Sequence, residues 1–221
     1  MSQSTEKVLF GEDYYDNFSP NDYLQSKYSI ANLGPLHLFK LNCLHKFYQS
    51  YPSSAKLRIL DIGSGPAIAN IISAAPYAAE IVLSEYAEAN RSALLQWLNN
   101  DPNAFDWTHV FKRIVVDFEA KTEEQVPIRA ELVRKVVKAV VPCDANQDPP
   151  IPTEYVNQYD IVTDLPCLPA ACATREDYTA ALIRLHALLK PGGKIVLYTP
   201  ESEDAPTPDH CLLYTSDAAD E

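Results

Sequence analysis

The chain has 221 residues, 18 Lys and Arg against 30 Asp and Glu, a formal charge of −12 and 47% hydrophobic residues. At this length one domain buries roughly 70–75% of its extended-chain surface, so the core needs no disulfide framework. The acid surplus argues against a nucleic-acid backbone as the main partner, because such binding draws on surplus Lys and Arg.

Glu6, Lys7, Glu12 and Asp13 stand where a secretory signal would have to be apolar. Residues 1–56, rich in Tyr from Tyr14 to Tyr51 and ending in a helical pattern, are expected to form an N-terminal helical lid. A cofactor-binding core over 57–199 follows. Its strands are expected at Leu57–Ile62, Ile81–Glu85, Ile114–Asp117, Tyr159–Thr163 and Lys194–Tyr198, each short, apolar and bounded by turn or charge signals. The longest uncharged run, Ile62–Ala79, is broken by Gly63, Gly65, Pro66 and Pro76, which makes it a turn and a buried helix rather than a membrane span.

A helix is expected over roughly Glu88–Asn99, with Leu94, Leu95 and Leu98 inward, and a second near Arg129–Val140, where five apolar side chains line one side. Pro142–Asn157, with four prolines, reads as a long loop, functional or mobile. Tyr178, Ala181, Leu182, Leu185, Leu188 and Leu189 follow helical spacing, with Thr174 and Asp177 as a capping signal and Pro191-Gly192-Gly193 as the stop. Alternating β and α segments with near-continuous apolar strands predict a doubly wound, mostly parallel Rossmann-like α/β sheet.

Residues 200–221 read as an irregular tail. Within it, Cys211 to Glu221 resembles the peptide encoded by a transposon-end sequencing adapter, the alternative being a genuine acidic tail; on the adapter reading the natural chain continues past His210. The five cysteines, Cys43, Cys143, Cys167, Cys172 and Cys211, are odd in number and form no Cys-x-x-Cys pair. They read as reduced thiols of a cytoplasmic protein without a metal site.

In open α/β sheets, ligands bind beyond the strand carboxyl ends, so the first strand-to-helix turn, Asp61-Ile62-Gly63-Ser64-Gly65-Pro66, is the first candidate site. Gly63 and Gly65 permit a sharp turn and close ligand approach, and Asp61 can accept hydrogen bonds from ligand or loop amides. Glu85, ending the next strand, is placed to take both hydroxyls of an adenosine ribose. Ile68 replaces the third glycine of a dinucleotide fingerprint, and Pro66 removes an amide that would cradle a pyrophosphate. A phosphate-free adenosine ligand, S-adenosyl-L-methionine, therefore fits better than NAD.

The same turn, together with Glu85-Tyr86, Asn90, Leu98 and Ala104-Phe105-Asp106-Trp107, resembles the nicotinamide / phenylethanolamine / indolethylamine N-methyltransferase family. Phe18-Ser19-Pro20-Asn21-Asp22-Tyr23-Leu24 with Tyr28, Cys143-Asp144, Cys167-Leu168 with Ala170-Ala171-Cys172, and Leu188 to Gly193 match as well. The resemblance runs from about Tyr14 to Tyr198. It implies S-adenosylmethionine-dependent N-methylation of a small amine or pyridine by a monomer, with neither nucleic acid nor membrane as partner.

By position, it implies that Tyr14, Tyr23 and Tyr28 close over the cofactor and that Gly63, Ser64 and Gly65 lie along its methionine part. Glu85 with Asn90 would hold the ribose, Asp144 and Ala145 the adenine, and Tyr86 and Leu165 would complete the cofactor site. Each has a plainer reading too: tyrosines as packing, Asn90 as a helix-turn residue, Asp144 as a solvated loop acid. No residue is implied as acid or base; Tyr23 would position the reactants, and Tyr23 and Thr199 would border the acceptor. Thr199 stands where amine-binding relatives carry an acid, Ala69 replaces a common aromatic residue, and a chain stopping here would lack the sheet's two closing antiparallel strands. A catalytically silent cofactor-binding fragment and a nicotinamide-dependent oxidoreductase are the rival readings.

Overall fold

The computed structural model describes residues 18–156 and 158–198. Tyr14, Thr199 and the tail from Pro200 lie outside them. Helix α1 (Pro20–Tyr28) starts at Ser19, whose hydroxyl accepts from the Asp22 N–H at 3.4 Å, with Pro20 in the first turn where its missing N–H removes nothing. Helix α2 (Pro35–Gln49) buries Leu41, Leu44, Phe47 and Tyr48 against the sheet.

The sheet has five strands, β1 (Leu57–Ile62), β2 (Ala78–Glu85), β3 (Val137–Pro142), β4 (Tyr159–Asp164) and β5 (Leu189–Leu197), in the order β3-β2-β1-β4-β5. All four pairings are parallel. Alternation along β1 sends Ile59 to a core shared with the N-terminal helices and Leu60 and Ile62 to a second core on the other face. The first face is covered by α1, α2, α3 (Glu88–Leu98), α4 (Thr108–Lys112) and α5 (Gln125–Val136). The second is covered by α7 (Arg175–Ala187) and by Ile151 from the proline-rich loop, while the short α6 (Leu168–Ala171) follows β4.

Two expectations change. The segment Ile114–Asp117 is not a strand: it lies in a π-helical continuation of α4, Arg113–Phe118. Val110, Phe111, Ile114 and Val115 are the buried residues, a helical spacing that outweighs the local β-branched run. The third strand is instead Val137–Pro142, which the sequence reading merged into the preceding helix. Helix α5 passes into β3 without a connecting residue, Val137 already being extended at φ −71°, ψ 117°, so no Gly or Pro marks the change.

Smaller differences concern ends and faces. Leu95 is exposed, and Trp97 packs inward instead. Helix α7 ends at Ala187, and the Pro-Gly-Gly run lies within β5, whose register with β4 shifts between Tyr159 and Ile161. Thr174 caps α7 as expected: its hydroxyl accepts from the Asp177 N–H at 3.1 Å and donates to the Asp177 carboxylate at 2.7 Å. The loop after β3 is anchored rather than loose, with Asn146 donating to the Ala171 carbonyl at 3.1 Å and Arg184 to the Ala145 carbonyl at 3.0 Å. No helix of the described residues is long and apolar enough to cross a membrane.

Candidate functional site

Strand order reverses at β1, which has β2 on one side and β4 on the other, so the loops after these strands splay apart at their carboxyl ends. There they border a cavity of about 340 Å³, within the size range of small-molecule sites. The floor is the turn after β1. Gly63 and Gly65 take φ of +62° and +60°, conformations in which a side chain is strained. At Gly63 a Cβ would also overlap the Cβ and Sγ of Cys167, whereas at Gly65 it would meet nothing within 4 Å. Only the first glycine is therefore required by close packing.

Glu85 forms one wall at the end of β2 and is 3% exposed. Its Oε2 accepts from the Gly65 N–H at 2.9 Å, and its Oε1 from the Ala87 N–H at 2.9 Å and the Asn90 amide at 3.0 Å. The carboxylate thus ties the glycine turn to the start of α3 while bordering the cavity. Asn90 is fully buried behind it and does not line the cavity, so it acts through Glu85.

The lid side is aromatic. Phe18, Tyr23 and Tyr28 border the cavity, with ring centroids 5.3 Å apart for the first pair and 6.2 Å for the second. The Tyr23 hydroxyl donates to that of Tyr28, which also accepts from the buried Lys40 ammonium at 3.3 Å. Burial pushes the Tyr23 hydroxyl up to about 12, and that of Tyr28 beyond the usual phenol range, so both stay protonated donors at neutral pH. Behind them Tyr28 packs on Trp107 at 5.1 Å, and Trp107 on Phe105 at 4.9 Å, so the Phe105-Asp106-Trp107 motif serves as the lid's seat. Lys40, a lysine in an apolar helix face, had no mark in the sequence distinguishing it from a surface cation.

The remaining walls come from the loops after β3 and β4. Asp144 and Ala145 border the cavity, the Asp144 N–H donating to the Pro150 carbonyl at 2.9 Å and its Oδ1 accepting from the Asn146 N–H at 2.9 Å. Leu165 and Cys167 enter from the other loop. Of the residues expected to form the cofactor site, Tyr23, Tyr28, Gly63, Ser64, Gly65 and Glu85 converge on this cavity. So do Tyr86, Asp144, Ala145 and Leu165.

Sequence reasoning missed Asn70, which is 6% exposed, borders the cavity and leaves its Oδ1 without a hydrogen-bond partner. Its apolar neighbours, Ile68 to Ile72, had marked that segment as core alone. Cys143 and Cys167 also line the cavity, and burial raises both thiols, Cys143 to about 12, so neither is a thiolate nucleophile.

Asp61 departs from expectation. It is 1% exposed beneath the turn and does not border the cavity; its Oδ1 accepts from the Thr163 hydroxyl at 2.5 Å, tying β1 to β4, and its Oδ2 has no hydrogen-bond partner. Asp164, at the end of β4, accepts at Oδ1 from the Cys167 N–H at 2.5 Å and the Leu168 N–H at 3.0 Å, while its Oδ2 has no partner. Burial, aided by the charge of Asp61 and opposed by those two amides, raises its carboxyl from 3.8 to about 6.

A carboxyl raised on folding binds its proton more tightly in the native state, so stability falls as pH rises from about 4 through 6 and the deficit persists above that. Asp164→Asn, which keeps the Oδ1 acceptor and drops the charge, is expected to stabilise the protein by about 2–3 kcal/mol at pH 7. The gain should largely disappear near pH 4, as read by urea unfolding at both pH values. An equal effect at the two values would remove the titration account.

The NNMT/PNMT/TEMT family matches residues 6–203. Among curated proteins, the indolethylamine N-methyltransferase of Oryctolagus cuniculus is 36% identical over 191 residues, a match spanning 84% of this chain and 71% of that protein. The nicotinamide N-methyltransferase of Homo sapiens is 34% identical over 196 residues, with the same coverage of 84% and 71%. Among solved structures, an amino pentose methyltransferase from Micromonospora echinaspora aligns over 87% of this chain and 61% of that one, with a TM-score of 0.49 and 16% identity.

Proposed function

The chain belongs to the NNMT/PNMT/TEMT family of S-adenosylmethionine-dependent N-methyltransferases, and from that premise we propose that it methylates the nitrogen of a small amine or pyridine. The observation that carries this reading is the make-up of the cavity wall. Among the described residues it holds two carboxylates, Glu85 and Asp144, and neither Lys nor Arg. A wall of that kind suits a cationic, phosphate-free ligand; a pyrophosphate would face carboxylates with no cation to neutralise it. Pro66, bordering the same cavity, offers no amide for a phosphate.

S-adenosylmethionine supplies a methyl group on a positively charged sulfonium. Glu85, already held by three donors, would take the ribose hydroxyls, and Asp144 with Ala145 would take the adenine. The unpartnered Asn70 oxygen offers a further acceptor in the same cavity. A neutral nitrogen lone pair needs no general base, so the protein's tasks are to align the reactants, exclude water and stabilise positive charge as it moves to nitrogen. The Tyr23 and Tyr28 rings and the acidic wall serve the last of these.

Calorimetric titration with S-adenosylhomocysteine is the direct test. Saturable one-to-one binding, with no binding of NAD, is expected; the reverse pattern would overturn the reading in favour of an oxidoreductase. Binding without turnover on a panel of amines and pyridines would instead support a silent cofactor-binding protein. In the active protein, Tyr23→Phe is expected to lower kcat roughly tenfold while cofactor affinity changes by less than about 1 kcal/mol, since the lost hydroxyl positions rather than anchors. Unchanged kinetics would return Tyr23 to packing.

A further inference from the structure

Lys40 is a buried lysine to which the chemistry described so far gives no task. It lies on α2 and is 6% exposed. The gap it borders with Leu44, Leu165 and Val196 measures about 10 Å³, too little for a ligand, so Lys40 can act only through its neighbours. Burial lowers its ammonium from the usual lysine range, opposed by Tyr23 and by the charge of Asp61. Among the described residues no carboxylate pairs with it. Its Nζ donates to the Tyr28 hydroxyl at 3.3 Å and lies 5.9 Å from the centre of that ring.

An ammonium has donors and no acceptor, so this hydrogen bond has one possible direction. The Tyr28 oxygen also accepts from the Tyr23 hydroxyl, and both of its acceptor positions are then taken. Its own hydrogen is left to donate. No described residue receives it, and Asp61, whose charge acts on Tyr28, keeps an unpartnered Oδ2. Tyr28 borders the cavity, so this donor is available to a ligand.

The charges around the cavity say which group it takes. The acidic wall holds Glu85 and Asp144, and the cations behind that side are engaged by main-chain oxygens, Arg91 by those of Glu85 and Tyr86 and Arg184 by that of Ala145. An anionic group of a ligand is repelled there. At the lid a buried positive charge stands one hydrogen bond behind an unused donor, in surroundings of low dielectric where both effects are strong. Resting on the S-adenosylmethionine reading, we propose that Lys40 is a positioning residue that keeps the Tyr28 hydroxyl a donor toward the cavity, making the lid the pole that takes the carboxylate of the ligand's amino-acid part.

The test is calorimetric titration of the full chain with S-adenosylhomocysteine and with its decarboxylated analogue, which keeps the adenosine, the sulfur and the amine. The wild type is expected to bind S-adenosylhomocysteine at least about tenfold more tightly than the analogue. Lys40→Met, which matches the stem and drops the ammonium, should weaken S-adenosylhomocysteine about tenfold and the analogue by less than about twofold. Tyr28→Phe should erase the same preference. Adding Lys40→Met to it should change neither Kd by more than about twofold, because Lys40 acts through the Tyr28 hydroxyl.

Equal affinity of the wild type for the two ligands would overturn the proposal whether or not the variants fold. So would a Lys40→Met protein that binds both ligands as the wild type does, or one that loses both alike, the mark of a merely structural lysine. Additive losses in the double variant would overturn it as well. Failure of the methyltransferase reading has a different signature, no binding of either ligand to the wild type, and would take this assignment with it.

Discussion

Glu85→Ala is expected to weaken S-adenosylhomocysteine binding by about 1.5–3 kcal/mol, roughly 10- to 150-fold in Kd, the scale for losing charge-assisted hydrogen bonds. Two losses combine. The carboxylate facing the cavity goes, and the N–H groups of Gly65 and Ala87 lose the acceptor that holds the glycine turn to the start of α3. Glu85→Gln separates them. The Gln oxygen can still accept from Ala87 and Asn90, as Oε1 does, but the charge and the second acceptor, Oε2 toward Gly65, are removed, so its Kd should fall between wild type and Ala. Calorimetry on the three proteins gives the ordering, and a wild-type Kd in Glu85→Ala would end the ribose assignment.

Gly63→Ala is expected to be the most damaging single substitution in the turn, destabilising the fold by roughly 2–5 kcal/mol as a sum of backbone strain and overpacking. The strain comes from φ of +62° and the overpacking from Cys167, whose Cβ and Sγ occupy the place of the new methyl. Cys167 cannot retreat freely, because its N–H is held by the Asp164 carboxylate at 2.5 Å. Gly65→Ala shares a positive φ of +60° but meets no neighbour, so only strain of about 1–2 kcal/mol is expected. Pairing Gly63→Ala with Cys167→Gly should recover the overpacking part. Urea midpoints would show this pattern, and equal losses for the two glycines would refute the close-approach argument.

Local chemistry made much of the fold legible. The limits of β1 follow from a six-residue segment, four of them apolar, that runs into the Gly-x-Gly turn, and α7 is announced by its Thr174 cap and apolar spacing. The site residues were legible for a related reason: in a parallel sheet the end of each strand is a fixed address, so Gly63, Glu85 and Asp144 converge once the order of strands is given.

The failures lie where tertiary packing chose between two readings of one apolar pattern. Ile114 to Asp117 and Val137 to Pro142 are both β-branched runs of similar length. One continues a helix and the other completes the sheet, because only the second lies beside β2, with Val82 opposite Ala139 and Ser84 opposite Val141. Asn70 and Lys40 escaped for a related reason. Burial turned both into features of the site, and burial of a single polar side chain inside an apolar stretch has no signature in sequence.

By itself, the sequence determined the doubly wound class, the glycine turn, the acid at the end of β2 and a phosphate-free adenosine ligand. The class rests on the alternation of β and α segments along the chain, and the other three on residue type and spacing around the ends of the first two strands. Only the tertiary structure decided which segment is the third strand, that Asn90 stands behind Glu85, that Asp61 braces the sheet, and that Lys40 stands behind Tyr28. Those depend on contacts between segments far apart in the chain, whose energies arise only once the layers have packed.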